Sequence, residues 1–223
     1  MSDIDPQPAR YRVFLLSPAK ASGRRAKQLA SERATFDLAM RLRRKGAPLV
    51  EIFSFISGLY FRGKAAYSGA FSHAPAGLAG AYVITACGGL VPADRVLTLA
   101  RLQRICAGDV HVENLRYLRP LQRDARKLAA LAGANCEFVL LGSIATPKYV
   151  APLLEIFGER LLFPADFVGR GDMSRGGLML RSTRAGVELE YLSFATAVRH
   201  GDRPPRLPKL PRIQRTMAAA AGA

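Results

Sequence analysis

The sequence predicts an α/β fold: a single compact domain with a mixed or largely parallel sheet flanked by helices. Two observations lead there. Short apolar runs at 12–16, 81–85, 138–141 and 160–164 alternate with longer segments of helical periodicity, which is how a sheet with helical connections reads in sequence. A length of 223 residues is enough for one sizeable core, as one large domain or a domain with a small lobe. The expected organisation is a loose arm over residues 1–9, the domain over 10–198 and a basic, proline-bearing tail over 199–223.

The elements follow in order. Arg12 to Leu16 is a buried first strand halted by Ser17-Pro18-Ala19-Lys20. A basic helix is expected from about Gly23 to Leu42, with Leu29, Phe36, Leu38 and Leu42 inward. Arg41, Arg43, Arg44 and Lys45 close it where cations complement a helix C-terminus, and Gly46 with Pro48 stops it. The same four cations are equally a nucleic-acid contact. Leu49 to Phe55 reads as a short helix. Between Ser57 and Tyr67, Tyr60, Phe61 and Tyr67 interleave with Arg62 and Lys64, a chemistry suited to gripping unstacked bases and phosphates. Its two-glycine turn resembles a helix-hairpin-helix grip on DNA, although aromatics at such spacing also build cores.

Ala81 to Thr85 is the second strand, running into a Gly-Gly loop and then Pro92-Ala93-Asp94. Helices are expected over 97–105 and 121–131. Phe138 to Leu141 is the third strand, ending at Gly142-Ser143. Thr146 as N-cap and Pro147 at the first helical position open another helix. The run at 160–164 is a fourth strand, and the alternation from Gly186 to Phe194 a half-exposed fifth. In the tail, prolines favour an extended conformation, and six cations from Arg199 to Arg215 suit either a polyanion-binding strap or an undocked linker. The final A-A-A-A-G-A is expected to be disordered.

Residues 163–181 organise the rest. Four glycines (Gly169, Gly171, Gly176, Gly177) stand among Arg170, Asp172, Ser174 and Arg175. This reads as a tight loop presenting those side chains together, and arginine suits bidentate capture of phosphate or carboxylate. A surface turn with solvated arginines is the plainer alternative.

Composition narrows the partners. Lys plus Arg is 33 against 17 acids, a formal charge of +16, which predicts attraction to polyanions such as nucleic acid or an anionic membrane face. Three scattered cysteines without a C-x-x-C support neither a disulfide framework nor a zinc site, and no metal is expected. The loops lack the spacing of a dinucleotide fingerprint or a P-loop, so no cofactor is expected. With no signal pattern and no apolar run of about 18 residues, the expected address is the reducing cytosol, without membrane insertion.

Several loops, in this order, resemble the YaaA family of bacterial proteins, associated with peroxide stress and DNA binding. Leu16-Ser17-Pro18-Ala19-Lys20 is similar to the family's I-S-P-A-K, and Phe61 to Gly69 to its F-K-G-D-V-Y-x-G with one residue added. Thr85 to Asp94 resembles S-G-L-Y-G-x-L-x-P-x-D with one residue fewer. Ser143 and Lys148-Tyr149 fall where the family has A-S-x-E-Y, and Gly169 to Arg175 resembles A-R-G-x-M-[SA]-R. Three departures stand out: Cys87-Gly88 replaces a Leu-Tyr, Lys148 replaces a glutamate, and the helical region before the second motif is compressed. The resemblance implies a compact α/β domain with a basic cleft, DNA binding, and protection against oxidative stress or DNA damage.

Two functions are expected from these readings. In the first, DNA, including distorted or single-stranded DNA, binds through phosphates, using Lys20, Arg62, Lys64, Tyr67, Ser143, Lys148, Tyr149, Arg170, Ser174 and Arg175. In the second, the same cleft takes a small nucleotide-like ligand, and Asp94 or Asp172 activates water to break an N-glycosidic bond. Lys20 is also open to a role as a Schiff-base nucleophile. Both readings expect Lys20, Ser143, Arg170 and Arg175 to converge, because parallel strands deliver their following loops to one sheet edge.

Overall fold

The computed structural model describes residues 10–208; the N-terminal arm and the poly-alanine end lie outside them. The chain runs β1 (Tyr11–Leu16), α1 (Arg24–Ala30), α2 (Asp37–Arg44), β2 (Ala47–Pro48), α3 (Leu49–Ser57), α4 (Leu59–Phe71), β3 (Ala81–Thr85) and β4 (Gly89–Pro92). It continues with β5 (Val96–Leu97), α5 (Leu99–Cys106), α6 (Leu115–Ala132), β6 (Cys136–Leu141), α7 (Pro147–Phe157), β7 (Leu161–Pro164), α8 (Asp172–Ala185) and β8 (Tyr191–Ser193).

The main sheet has the order β4-β3-β1-β6-β7-β8. Its four central strands, β3, β1, β6 and β7, are parallel, and antiparallel β4 and β8 close its edges. Helices lie on the sheet, so the central strands are covered and read as continuous apolar runs. Val13 to Leu16 and Phe138 to Leu141 are fully buried. The fold is therefore the expected α/β class with a largely parallel sheet.

Three elements differ from expectation. The long basic helix is two helices, broken after Ala30. The Ser31 hydroxyl accepts from the Arg33 amide (3.3 Å), a local turn that competes with helix. Arg43 donates to the Ser31 and Ala34 carbonyls at 2.7 and 2.6 Å, and Arg41 pairs with Asp37 and Glu51. Two of the four clustered cations thus hold structure together.

The Gly-Gly segment after β3 is a hairpin turn. Thr85 Oγ1 accepts from the Gly88 amide (2.9 Å) and donates to the Gly89 carbonyl (3.0 Å), while Gly89 takes a φ of 66°. β4 then runs back beside β3, and the Ala93 amide bonds to the Ala81 carbonyl at the start of β3.

The glycine-rich stretch after β7 is helical from Asp172 onward, with Gly186 as its left-handed C-cap. Its glycines serve packing. A Cβ on Gly176 would lie 2.8 Å from the Tyr60 Cα, and one on Gly63 would lie 2.7 Å from the Gly176 carbonyl oxygen. α4 and α8 therefore cross backbone to backbone, which only residues without side chains allow.

Candidate functional site

The sheet has one topological switch point. From β1 the chain crosses to β3 on one side, whereas from β6 it crosses to β7 on the other. β1 and β6 are neighbours in register, Leu16 beside Leu141, so their following loops leave side by side. Ligands of open α/β sheets sit in this kind of crevice, at the carboxyl ends of the strands. The two loops touch: a Cβ on Gly142 would lie 2.9 Å from the Ser17 Cβ.

Two buried cations fasten these loops from below. Lys64 is 2% exposed. Its Nζ donates to the Ser17 carbonyl (2.9 Å) and lies 2.6 Å from the Ser17 hydroxyl. It also sits 4.1 Å from the centre of the Tyr60 ring and 5.3 Å from that of Phe61. Burial lowers its pKa to about 7, with Asp172 opposing the shift and Arg175 adding to it. Arg175, 8% exposed, donates Nε and Nη2 to the Phe167 carbonyl (3.2 and 2.8 Å) and Nη1 to the Gly142 carbonyl (3.2 Å). Neither cation has an acid within ion-pairing distance among the described residues. Beside them the Tyr60 hydroxyl is buried without a hydrogen-bond partner, and burial raises its pKa well above the ordinary value.

Next to this pair a cleft of about 690 Å³ opens. The loops after β1 and β3 form its base, contributing Pro18 to Ser22 and Thr85-Ala86, with walls from α1, α3 and α5 and from Lys148 and Tyr149 of α7. Its lining is mixed: Leu29, Phe53, Ile56 and Leu102 are apolar, Lys20, Ser22, Gln103 and Lys148 are polar or cationic, and Asp109 is its one acid. The Lys148 carbonyl accepts from the Tyr117 hydroxyl (2.7 Å), tying the start of α7 to α6. Lys148 Nζ stands 5.2 Å from the Tyr149 ring centre. Burial pushes the Tyr149 pKa up to about 12, with Asp172 adding to the shift.

The expected site residues divide among four places. Lys20, Lys148 and Tyr149 line the cleft. Ser143 is half-buried in the β6 loop and is not part of the cleft lining. Lys64 and Arg175 are fasteners beneath the strand ends; Arg175 belongs to a helix and its side chain is not solvent-facing. Arg170 and Ser174 line a separate groove beside the C-terminal segment.

Four more belong elsewhere. Tyr67 is a core residue, its hydroxyl 2.7 Å from that of Tyr191 and accepting from the Leu189 amide at 2.8 Å. Arg62 is exposed on α4. Asp94 is exposed beyond β4, at the opposite end of the sheet, because the hairpin reverses the chain. Asp172 is exposed in the first turn of α8, close enough to influence Lys64, Tyr60 and Tyr149 electrostatically.

Sequence reasoning passed over Tyr60 as a site residue. Its signal was the i, i+4 spacing from Lys64, which puts both on one helix face. Thr146 does precede α7, but its hydroxyl makes no capping bond and is buried unpartnered.

Comparison with known protein families, curated proteins and solved structures finds no match. Among the described residues no group of three or more His, Cys, Asp or Glu is placed to hold a metal ion, and no helix is long and apolar enough to cross a membrane.

Proposed function

We propose that the protein binds nucleic acid through its phosphates, with the cleft beside the switch point receiving an unstacked nucleotide. One observation carries the reading: a cleft of about 690 Å³ bounded by Lys20, Lys148 and the Tyr149 ring at the carboxyl ends of parallel strands. The volume lies in the range of ordinary small-ligand sites. A cation beside an aromatic face is the combination that grips a phosphate and its base. The helices walling the cleft carry further exposed cations, Arg24 and Lys27 on α1 and Arg101 and Arg104 on α5. The charge of +16 supplies long-range attraction. The motifs similar to the YaaA family, with the DNA binding and stress protection they imply, point the same way.

The deciding experiment is a fluorescence titration with duplex, single-stranded and bulged DNA at two salt concentrations. Binding is expected to fall steeply with salt, since each neutralised phosphate releases counterion. Affinity weaker than about 10⁻⁴ M on every substrate at low salt overturns the proposal.

A second reading, hydrolysis of an N-glycosidic bond in a nucleotide, draws support from the buried Lys64, which has no acidic partner among the described residues, and the Tyr60 hydroxyl, both within the electrostatic reach of Asp172, because strongly perturbed groups gather at functional sites. Asp172 is its water-activating carboxylate; Asp94, at the far end of the sheet, has no part in it. Release of free base from a nucleotide panel, lost in Asp172→Asn, supports this reading, and no release from any member sinks it.

A further inference from the structure

A second basic groove, of about 490 Å³, runs between the N-terminal half of α8 and the extended C-terminal segment 203–207. Arg170, Arg181, Arg203 and Arg206 line it together with the Ser174 hydroxyl, and none of its lining residues is acidic. The neighbouring acids Asp172 and Asp202 are not part of that lining. It shares no lining residue with the cleft beside the switch point.

The segment is seated. Arg170 Nη1 donates to the Pro205 carbonyl at 3.2 Å, and Arg181 donates to the Pro208 carbonyl. A Cβ on Gly169 would lie 2.1 Å from the Asp202 carbonyl oxygen, so the segment passes directly over the backbone there. These bonds leave the guanidinium groups short of acceptors. Arg170 reaches the Ser174 hydroxyl only at 3.4 Å, and its Nε is buried with no partner among the described residues. Four like charges around one groove repel one another, and a buried donor without an acceptor is costly. An anion in the groove relieves both.

We propose that this groove is a phosphate-binding site, in which α8 and the C-terminal segment close on one phosphate group. Guanidinium forks match phosphate oxygens bidentately, and arginine keeps its charge throughout the accessible pH range. Ser174 adds a hydroxyl donor. The phosphate comes either from a nucleic-acid backbone or from a free phosphate compound.

Calorimetric titration of the full chain with inorganic pyrophosphate, at matched ionic strength, tests the site. Saturable binding at millimolar or lower concentration is expected. It should weaken about tenfold or more in Arg203→Gln/Arg206→Gln, whose positions on an extended segment do not support the core, and in Arg170→Gln. It should not change in Arg33→Gln/Arg184→Gln, which removes the same formal charge at exposed positions that line neither the groove nor the cleft. Absence of saturable binding, or equal affinity in the groove variants and the parent, overturns the proposal.

A single-stranded oligonucleotide then separates the two sources. Loss of its affinity in the groove variants assigns the groove to a nucleic-acid backbone, and unchanged affinity assigns it to a free phosphate compound. Pyrophosphate binding that survives where no nucleic acid binds leaves the groove standing and removes the cleft reading.

Discussion

The Lys64 ammonium lies 2.6 Å from the Ser17 hydroxyl and 2.9 Å from the Ser17 carbonyl. A lysine on α4 thereby fixes the loop that leaves the central strand of the sheet. No acid neutralises it at bonding distance, so its charge is carried against the cost of burial. That cost makes a pH signature. Unfolded, Lys64 holds its proton up to an ordinary value near 10.4; folded, it releases it near 7. Between those values the unfolded chain binds more protons, so stability contributed by this site rises with pH, by up to about 1.4 kcal/mol per unit. Below pH 7 both states are protonated and the penalty is constant. Chemical denaturation at pH 6 to 9, compared between the parent and Lys64→Met, should show the parent gaining on the variant above pH 7. A constant difference across that range means that Lys64 stays charged in the fold.

Arg175 makes a different prediction from the one its sequence context suggests. A loop arginine facing solvent has nothing to lose on truncation. In the structure it is buried and satisfies the Phe167 and Gly142 carbonyls. Arg175→Ala strips both carbonyls of a charged donor, and hydrogen bonds to charged groups contribute about 1.5–3 kcal/mol each. The variant should be destabilised by about 3 kcal/mol or more, read as a lower urea midpoint with an unchanged slope. Unaltered stability contradicts the fastening role.

The helix crossing gives a third test. A methyl at Gly176 meets the Tyr60 Cα at 2.8 Å and one at Gly63 meets a carbonyl oxygen at 2.7 Å. Both obstacles are backbone, so relief requires the helices to separate. Gly176→Ala should cost about 1–3 kcal/mol, the usual price of overpacking, even though alanine is the better helix former by about 1 kcal/mol. Gly177→Ala meets a side-chain nitrogen at 3.2 Å, which can swing aside, and the Leu207 Cδ1 at an ordinary 3.8 Å, and should be near neutral. Thermal melts of the two variants side by side decide it.

These cases show what the sequence could and could not convey. β1, β3, β6 and β7 were legible because central parallel strands are covered on both faces and read as unbroken apolar runs. The loops after β1 and β6 leave at one edge, as neighbouring parallel strands require, but of Lys20, Ser143, Arg170 and Arg175 only Lys20 lines the cleft. The inference failed at Asp94, since Cys87-Gly88-Gly89 can serve as a ligand loop or as a hairpin turn, and only pairing with β3 shows which. Glycine carried the same ambiguity at 169–177. Positive φ and close helix contact both require it, and the second depends on a partner helix more than a hundred positions away. In sequence Lys64 reads as a cation for gripping phosphates, because its burial rests on Ser17, which local periodicity cannot see.

The cleft itself yields the last prediction. Lys20 comes from the loop after β1 and Lys148 from the first turn of α7, which follows β6, and both reach one cavity, although neither fastens the fold: Lys20 is exposed and Lys148 half-exposed. Truncating them should therefore leave stability within about 0.5 kcal/mol, as for surface substitutions generally. If both contact phosphates, the slope of log affinity against log salt should become shallower by about 1.4–1.8 in Lys20→Gln/Lys148→Gln, about 0.7–0.9 per lost contact for single- and double-stranded DNA respectively. Arg33 and Arg184, exposed on the α1–α2 connection and the end of α8, line none of the cleft. Replacing them with glutamine removes the same formal charge, so general attraction falls equally in the two double variants. A cleft that engages phosphate directly loses affinity and slope only in the first. Equal losses in both variants mean that nucleic acid is held by overall charge, with no role for the cleft.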